Sequence, residues 1–303
     1  MGFSVAASWG SHIVLRDTRA TIKCQSFCTT ELNHRIGFKS SKQKTLQRAI
    51  FLSKHESIEL DERKSPDEVR EEIKKCYELI NRLGRGVVYL GSSRMGSDHS
   101  HYVLAQGLAK DIANLLDCTS WSGAGPGLMD AVTQGAMLAG KPVGGLKIGK
   151  EAMEWTASSF HPYLPSENYL TCRFFSARKH GLVDAVVRND SFDRTAVVAL
   201  PGGIGTLDEM FEILALIQLE RIGSKFPVPF LLMNYDSFYS KLLDFLNDCE
   251  GWGTVSDGEV ESLWKVCNSN SEALDYLTDF YCISSSDREK NVTKYSTYES
   301  PSL

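Results

Sequence analysis

The stretch TAVVALPGGIGTLDE, Thr195 to Glu209, decides the fold. Its first six residues carry no charge, and an unbroken apolar run of that length predicts a strand buried on both faces. Gly202, Gly203 and Gly205 then supply a turn, and Thr206–Leu219 reads as a helix. Working outward, the same alternation recurs. Ser65-Pro66-Asp67-Glu68 is a capping box with proline at the first helical position; Ile73, Tyr77, Ile80 and Leu83 continue it as a stripe that Gly84 ends. GVVYLGS (Gly86–Ser92) is the next buried strand, followed by a helix over His99–Leu116, a strand over Cys118–Ser122 and a helix over Leu128–Leu138. Pro142–Ile148 and Tyr169–Phe174 read as strands on either side of a long loop, and Phe175–Val187 as a helix. Beyond the deciding stretch come a strand over Pro227–Met233, a helix over Ser237–Asn247, and one or two helices within Glu259–Tyr281. Alternation of buried strands and helices predicts an α/β, Rossmann-like doubly wound parallel sheet with helices on both faces. Ligands of such sheets sit beyond the carboxyl ends of the strands.

Charge and composition narrow the partners. Residues 1–50 hold eight Lys and Arg against Asp17 and Glu31, a balance of +6; with a total of −5, the rest of the chain carries −11. So acidic a body argues against nucleic acid, which needs a concentrated basic surface. No apolar run approaches the ~20 residues needed to cross a bilayer, so no membrane partner is expected. The amino-terminal segment, residues 1–60, is basic and rich in Ser and Thr, and lacks the apolar core of a secretory signal. It has the composition of an organelle transit peptide, plastid rather than mitochondrial, the alternative being a disordered basic tail on a cytoplasmic protein. A single domain is expected over 65–283 and a disordered polar tail over 284–303. The eight cysteines form no Cys-x-x-Cys pair and have no histidine at zinc-ligand spacing, so they read as reduced thiols and no metal is called for.

Two glycine-rich turns occupy the ligand-binding end. Ser122-Gly123-Ala124-Gly125-Pro126-Gly127 fails the dinucleotide spacing because Leu128 stands where the last glycine should be, and no acid ends the following strand to hold a ribose. What remains is a turn whose backbone can approach a ligand and which feeds a helix N-terminus suited to anions. At Gly202, Gly203, Gly205 and Thr206, successive N–H groups and a hydroxyl face the same task. Glu209 has two readings there. Thr206-x-x-Glu209 is a capping box, in which the carboxylate serves the Thr206 N–H; or the carboxylate does chemistry. Ser176-x-x-Lys179 matches a hydrolase motif whose partner motifs are absent.

Pro201–Glu209 resembles the PGGxGTxxE signature of the LOG (LONELY GUY) family, cytokinin-activating nucleoside 5′-monophosphate phosphoribohydrolases. Ser176-Ala177-Arg178-Lys179 resembles the Arg-Lys pair of that family, and Gly91-Ser92-Ser93 and Gly125–Met129 its other nucleotide-facing segments. The resemblance spans roughly Gly86 to Asp248. It implies hydrolysis of the N-glycosidic bond of a purine nucleoside 5′-monophosphate, of cytokinin type, to free base and ribose 5-phosphate. Glu209 and Arg178 would be catalytic; Gly202, Gly203, Gly205, Thr206, Lys179, Ser92, Gly125 and Gly127 would bind substrate and phosphate. No cofactor is implied. The "lysine decarboxylase" label often attached to the family would need pyridoxal phosphate on a dedicated lysine, which the sequence does not identify. A homodimer is expected, since Phe211, Leu214, Leu216 and Leu219 exceed the needs of one core face and the family pairs through this helix.

The chain departs from the family with Phe175-Ser176 in place of Met-His and Ser122-Gly123-Ala124 in place of three glycines. Its Gly-Pro-Gly turn is more similar to longer bacterial purine-nucleotide nucleosidases. Two alternatives therefore stay open: a general AMP/GMP nucleosidase, and a non-catalytic nucleotide or molybdenum-cofactor carrier on the same scaffold. The joint presence of Arg178 and Glu209 favours catalysis over carriage.

Overall fold

The computed structural model describes residues 66–148 and 161–284. The transit-like reading of residues 1–60, the tail beyond 284 and most of the loop after residue 148 lie outside them. Helix α1 (Pro66–Leu83) leads into β1 (Gly86–Leu90), α2 (Ser100–Leu116), β2 (Thr119–Ser122), α3 (Leu128–Leu138) and β3 (Val143–Ile148). There follow β4 (Tyr169–Cys172), α4 (Phe175–Val186), β5 (Ala196–Ala199), α5 (Ile204–Gln218) and β6 (Phe230–Met233). The described chain closes with α6 (Ser240–Gly251), α7 (Glu259–Leu263), β7 (Lys265–Cys267) and α8 (Asn270–Phe280). Seven parallel strands form one sheet in the order β4-β3-β2-β1-β5-β6-β7.

The central strands are apolar throughout because each face has its own helical layer. Val88 and Leu90 of β1, with Val197 and Ala199 of β5, pack among Leu79 and Ile80 of α1, Leu182 of α4, and Met210 and Ile213 of α5. Val87 and Tyr89, with Ala196 and Val198, pack on the other face among Leu108 and Ile112 of α2, Val132 of α3 and Leu277 of α8. The doubly wound sheet expected from the sequence is the sheet observed, and no helix among the described residues is long and apolar enough to cross a membrane.

Three elements differ from the sequence reading. Lys265–Cys267, inside the stretch expected to be helical, forms β7; it is three residues at a sheet edge, exposed, half-buried and buried in turn, too short to show a period. The helix read from Ser237 starts at Ser240, because Asp236 (φ 50°) and Ser237 (φ 60°) are left-handed and hold a tight turn. The helix read from Thr206 starts at Ile204, with Gly203 at the N-cap. This last difference bears on the site.

Candidate active site

Strand order reverses direction between β1 and β5, where a doubly wound sheet opens a crevice. Leu90 stands opposite Ala199 there. The pairing continues past the strands: the Leu200 N–H donates to the Leu90 carbonyl at 2.8 Å, and the Ser92 N–H to the Pro201 carbonyl at 3.1 Å. The turn after β1 and the turn after β5 are thereby fixed side by side. A cleft of about 460 Å³ opens above them, lined by Gly91–Arg94, Met129, Phe175, Arg178, Gly203–Thr206 and Glu209. A cavity of about 520 Å³ beside α6 and α7 has Asp244, Glu250 and Glu261 against the single cation Lys265, a poor seat for an anion.

One wall of the cleft is the N-terminus of α5. The first intrahelical bond runs from the Leu207 N–H to the Gly203 carbonyl at 3.0 Å, and no side chain caps the helix. The N–H groups of Ile204, Gly205 and Thr206 therefore lack intrahelical acceptors and carry the positive end of the dipole. Gly203, Ile204 and Gly205 are exposed, with open space where a Cβ on either glycine would stand. Gly202 is buried behind them; a Cβ there would sit 2.1 Å from Thr206 Oγ1, so glycine lets the threonine fold back against the turn.

This start overturns the capping-box reading. Thr206 is the third residue of the helix rather than its cap, so Glu209 cannot close a box on the Thr206 N–H. Gly203-Ile204-Gly205 has weak intrinsic helix propensity, which is why sequence alone starts the helix late. Glu209 instead takes a hydrogen bond through Oε1 from Arg178 Nη1, in an ion pair whose side chains are only 9% and 3% exposed. Arg178 lies in the second turn of α4, and its Nε donates to the Leu146 carbonyl of β3 at 2.8 Å. Gly123 makes room for it, since a Cβ there would meet Arg178 Nη2 at 2.2 Å and Met129 Sδ at 2.6 Å. Breaking a buried pair of this kind leaves an uncompensated charge, so the pair fixes both side chains. Glu209 Oε2 has no hydrogen-bond partner among the described residues, and Glu209 borders the cleft.

The other anticipated residues divide. Ser92 lines the cleft, and its Oγ accepts the Arg94 N–H at 3.1 Å. Gly125 and Gly127 do not line it. Gly127 (φ 71°) is the N-cap of α3, and a Cβ there would meet the Ser92 carbonyl oxygen at 2.4 Å, so it serves close approach of two backbones. Lys179 does not line it either. Its Nζ pairs with Asp208 at 3.1 Å and Glu212 at 2.7 Å; burial works against its charge, but these two carboxylates outweigh burial and hold its pKa above the ordinary lysine value. Met129, the last residue of the nucleotide-facing segment Gly125–Met129 that the resemblance marks, does line the cleft; Phe175 and Arg94 are lining residues to which the sequence reading assigns no role, and Arg94 is signalled only by its place next to Gly91-Ser92-Ser93.

Beside Met129, Asp130 gathers a polar cluster. Tyr102 Oη donates to Oδ2 at 2.5 Å, Gln134 Nε2 donates to the same oxygen at 3.0 Å, and Tyr163 Oη donates to Oδ1. Burial, and then the bond to the carboxylate, push both phenols above the ordinary tyrosine range. His161, stacked edge-on against Tyr163, is pushed down to about 4 by burial. Among the described residues, no group of His, Cys, Asp and Glu is placed to hold a metal ion.

The family model described as "Possible lysine decarboxylase" matches residues 129–277. A probable cytokinin riboside 5′-monophosphate phosphoribohydrolase of Oryza sativa subsp. japonica is 31% identical over 177 residues, 58% of this chain and 75% of that relative. The chain belongs to the LOG family. Other LOG relatives are named for the same activity: one from Arabidopsis thaliana is 29% identical over 58% of this chain and 74% of its own length. One from Rhodococcoides fascians is 29% identical over 50% and 69%. Among solved structures, a molybdenum cofactor carrier protein from Chlamydomonas reinhardtii aligns with a TM-score of 0.40 and 16% identity, over 65% of this chain and 98% of that one.

Proposed function

We propose that the protein hydrolyses the N-glycosidic bond of a purine nucleoside 5′-monophosphate, releasing free base and ribose 5-phosphate. The observation that carries the reading is the buried Arg178–Glu209 pair placed beside an uncapped helix N-terminus in one cleft. The activity for which the LOG relatives are named supports it.

The N–H groups of Gly203, Ile204, Gly205 and Thr206 take the 5′-phosphate, with the turn at Gly202 holding them in line. Gripping the phosphate sets the ribose against Glu209, so binding energy supplies orientation. As the bond from C1′ to the base nitrogen breaks, the ribose gains oxocarbenium character. The carboxylate of Glu209 stabilises that charge and orients the water whose oxygen bonds to C1′; the electron pair of the broken bond leaves with the base nitrogen, and the proton that the water gives up balances the one the base gains, so that the base leaves neutral. Arg178 is a positioning residue that holds Glu209, and Lys179 steadies the same helix pair through Asp208 and Glu212. A decarboxylase reading fits poorly, because no lysine among the described residues lines the cleft to hold an aldehyde cofactor.

The finer substrate in this proposal is a cytokinin-type riboside 5′-monophosphate; the Gly125-Pro126-Gly127 turn favours general AMP/GMP turnover as the second reading. Of the four apolar residues that suggested a homodimer, Leu214 is buried in the core and Leu216 half-buried, while exposed Phe211 and Leu219, with Phe245 of α6, support one; the composition of residues 1–60 supports a plastid location. The test incubates the full chain with AMP, GMP and an N6-prenylated AMP and quantifies released base. Release from the prenylated nucleotide alone supports the cytokinin assignment, and release from AMP or GMP supports turnover. Tight binding with no release from any of the three contradicts hydrolysis and favours a carrier.

A further inference from the structure

The charges around the cleft do not balance without one residue that carries no role so far. Arg178 is neutralised by Glu209 inside the lining, and Lys179, outside it, by Asp208 and Glu212. Arg94 lines the cleft, is exposed, and makes no ion pair among the described residues. Among the described residues the formal charge of the lining is therefore +1, and Arg94 carries it. A phosphate monoester brings a charge of about −1.5 to −2 at neutral pH, while a helix N-terminus offers only about half a positive charge.

The placement of Arg94 is built by its backbone. The Ser92 carbonyl accepts the Leu128 N–H at 2.8 Å, and the Ser92 N–H is tied to Pro201. Ser92 Oγ accepts the Arg94 N–H, and Gly127 allows the start of α3 to press against the backbone of residues 92–94. Three anchors thus hold a two-residue turn whose next side chain is a free guanidinium. A long, flexible cation in solvent needs no such seat.

The geometry points to Arg94 as a substrate-binding residue that grips the 5′-phosphate from the β1 side of the cleft, with the N–H groups of α5 on the β5 side. Arg94 then sets the requirement for a phosphorylated ribose, so that nucleosides are excluded and ribose 5-phosphate is held as a product. This deepens the nucleotide reading above and rests on it for the identity of the substrate. Arginine suits the role because its planar fork gives paired hydrogen bonds to phosphate oxygens.

The test uses the full chain as wild type, Arg94→Gln and Arg94→Lys. Binding of ribose 5-phosphate is measured by calorimetry, and KM and kcat are measured on AMP or whichever monophosphate is hydrolysed. Loss of one charge-assisted contact should weaken ribose 5-phosphate binding and raise KM by roughly 10- to 100-fold in Arg94→Gln. The loss should fall on KM rather than kcat, with partial recovery in Arg94→Lys. Wild-type hydrolysis with ribose 5-phosphate affinity and KM unchanged in Arg94→Gln overturns the assignment while leaving the hydrolase standing. Absence of hydrolysis with Arg94-dependent binding of ribose 5-phosphate keeps the assignment and removes the hydrolase. No binding of ribose 5-phosphate to the wild type overturns the assignment.

Discussion

Two glycine-rich turns feed helices at the same end of the sheet, and they do opposite work. At the start of α5, Gly203 and Gly205 face open space and the first helix N–H groups have no acceptor among the described residues. At the start of α3, Gly123 is pressed against Arg178 and Met129, Gly127 against the backbone of residues 92–94, and the Leu128 N–H is already donated to Ser92. One turn leaves its donors open to the cleft; the other uses its missing Cβ atoms to seat the residues that line that cleft. The contrast teaches that a glycine cluster marks close approach, and only the neighbouring atoms tell whether the approaching partner is protein or ligand.

Substitutions separate the two cases. Gly127→Ala should cost about 2–3 kcal/mol, because it combines a left-handed φ with a clash against backbone that cannot give way. A denaturant midpoint close to that of the wild type would show that the α3 turn is not a scaffold. Gly205→Ala should go the other way on stability, gaining about 0.5–1 kcal/mol from helix propensity. Its methyl group would enter the space beside the N–H donors, and affinity for ribose 5-phosphate should fall by about tenfold; unchanged affinity would move the phosphate away from this turn. The smallest effect is expected at His161. Its pKa near 4 lies below the ordinary 6.5, so the unfolded chain takes up the proton first. Stability should therefore fall as pH drops from about 6.5 towards 4, and His161→Asn should flatten the slope of Tm against pH in that window. An equal slope in both proteins would place the titration elsewhere.

Much of the fold was legible in the sequence because β1 and β5 are apolar on both faces, a pattern that only a sheet between two helical layers satisfies. β7 escaped because Lys265–Cys267 is too short to carry a pattern, and its burial runs from exposed to buried along the strand rather than alternating. Within the site, the glycine turn and the Arg178 and Glu209 side chains were visible as residue types, but their contact joins positions 31 apart and depends on how α4 and α5 meet. Sequence adjacency also misplaced Lys179. One step along a helix turns a side chain by about 100°, which sends Lys179 from the cleft to Asp208 and Glu212. Arg94 had no pattern of its own; its importance comes from charge cancellation elsewhere, which is a property of the assembled cleft.

The most direct measurement is turnover per folded molecule in Glu209→Gln, with Tm recorded on the same sample. Gln keeps an oxygen to accept from Arg178 but removes the charge that the proposed mechanism sets against C1′, so base release should drop by about 10²-fold or more while the protein still melts cooperatively. A folded Glu209→Gln protein that releases base at the wild-type rate would contradict the account.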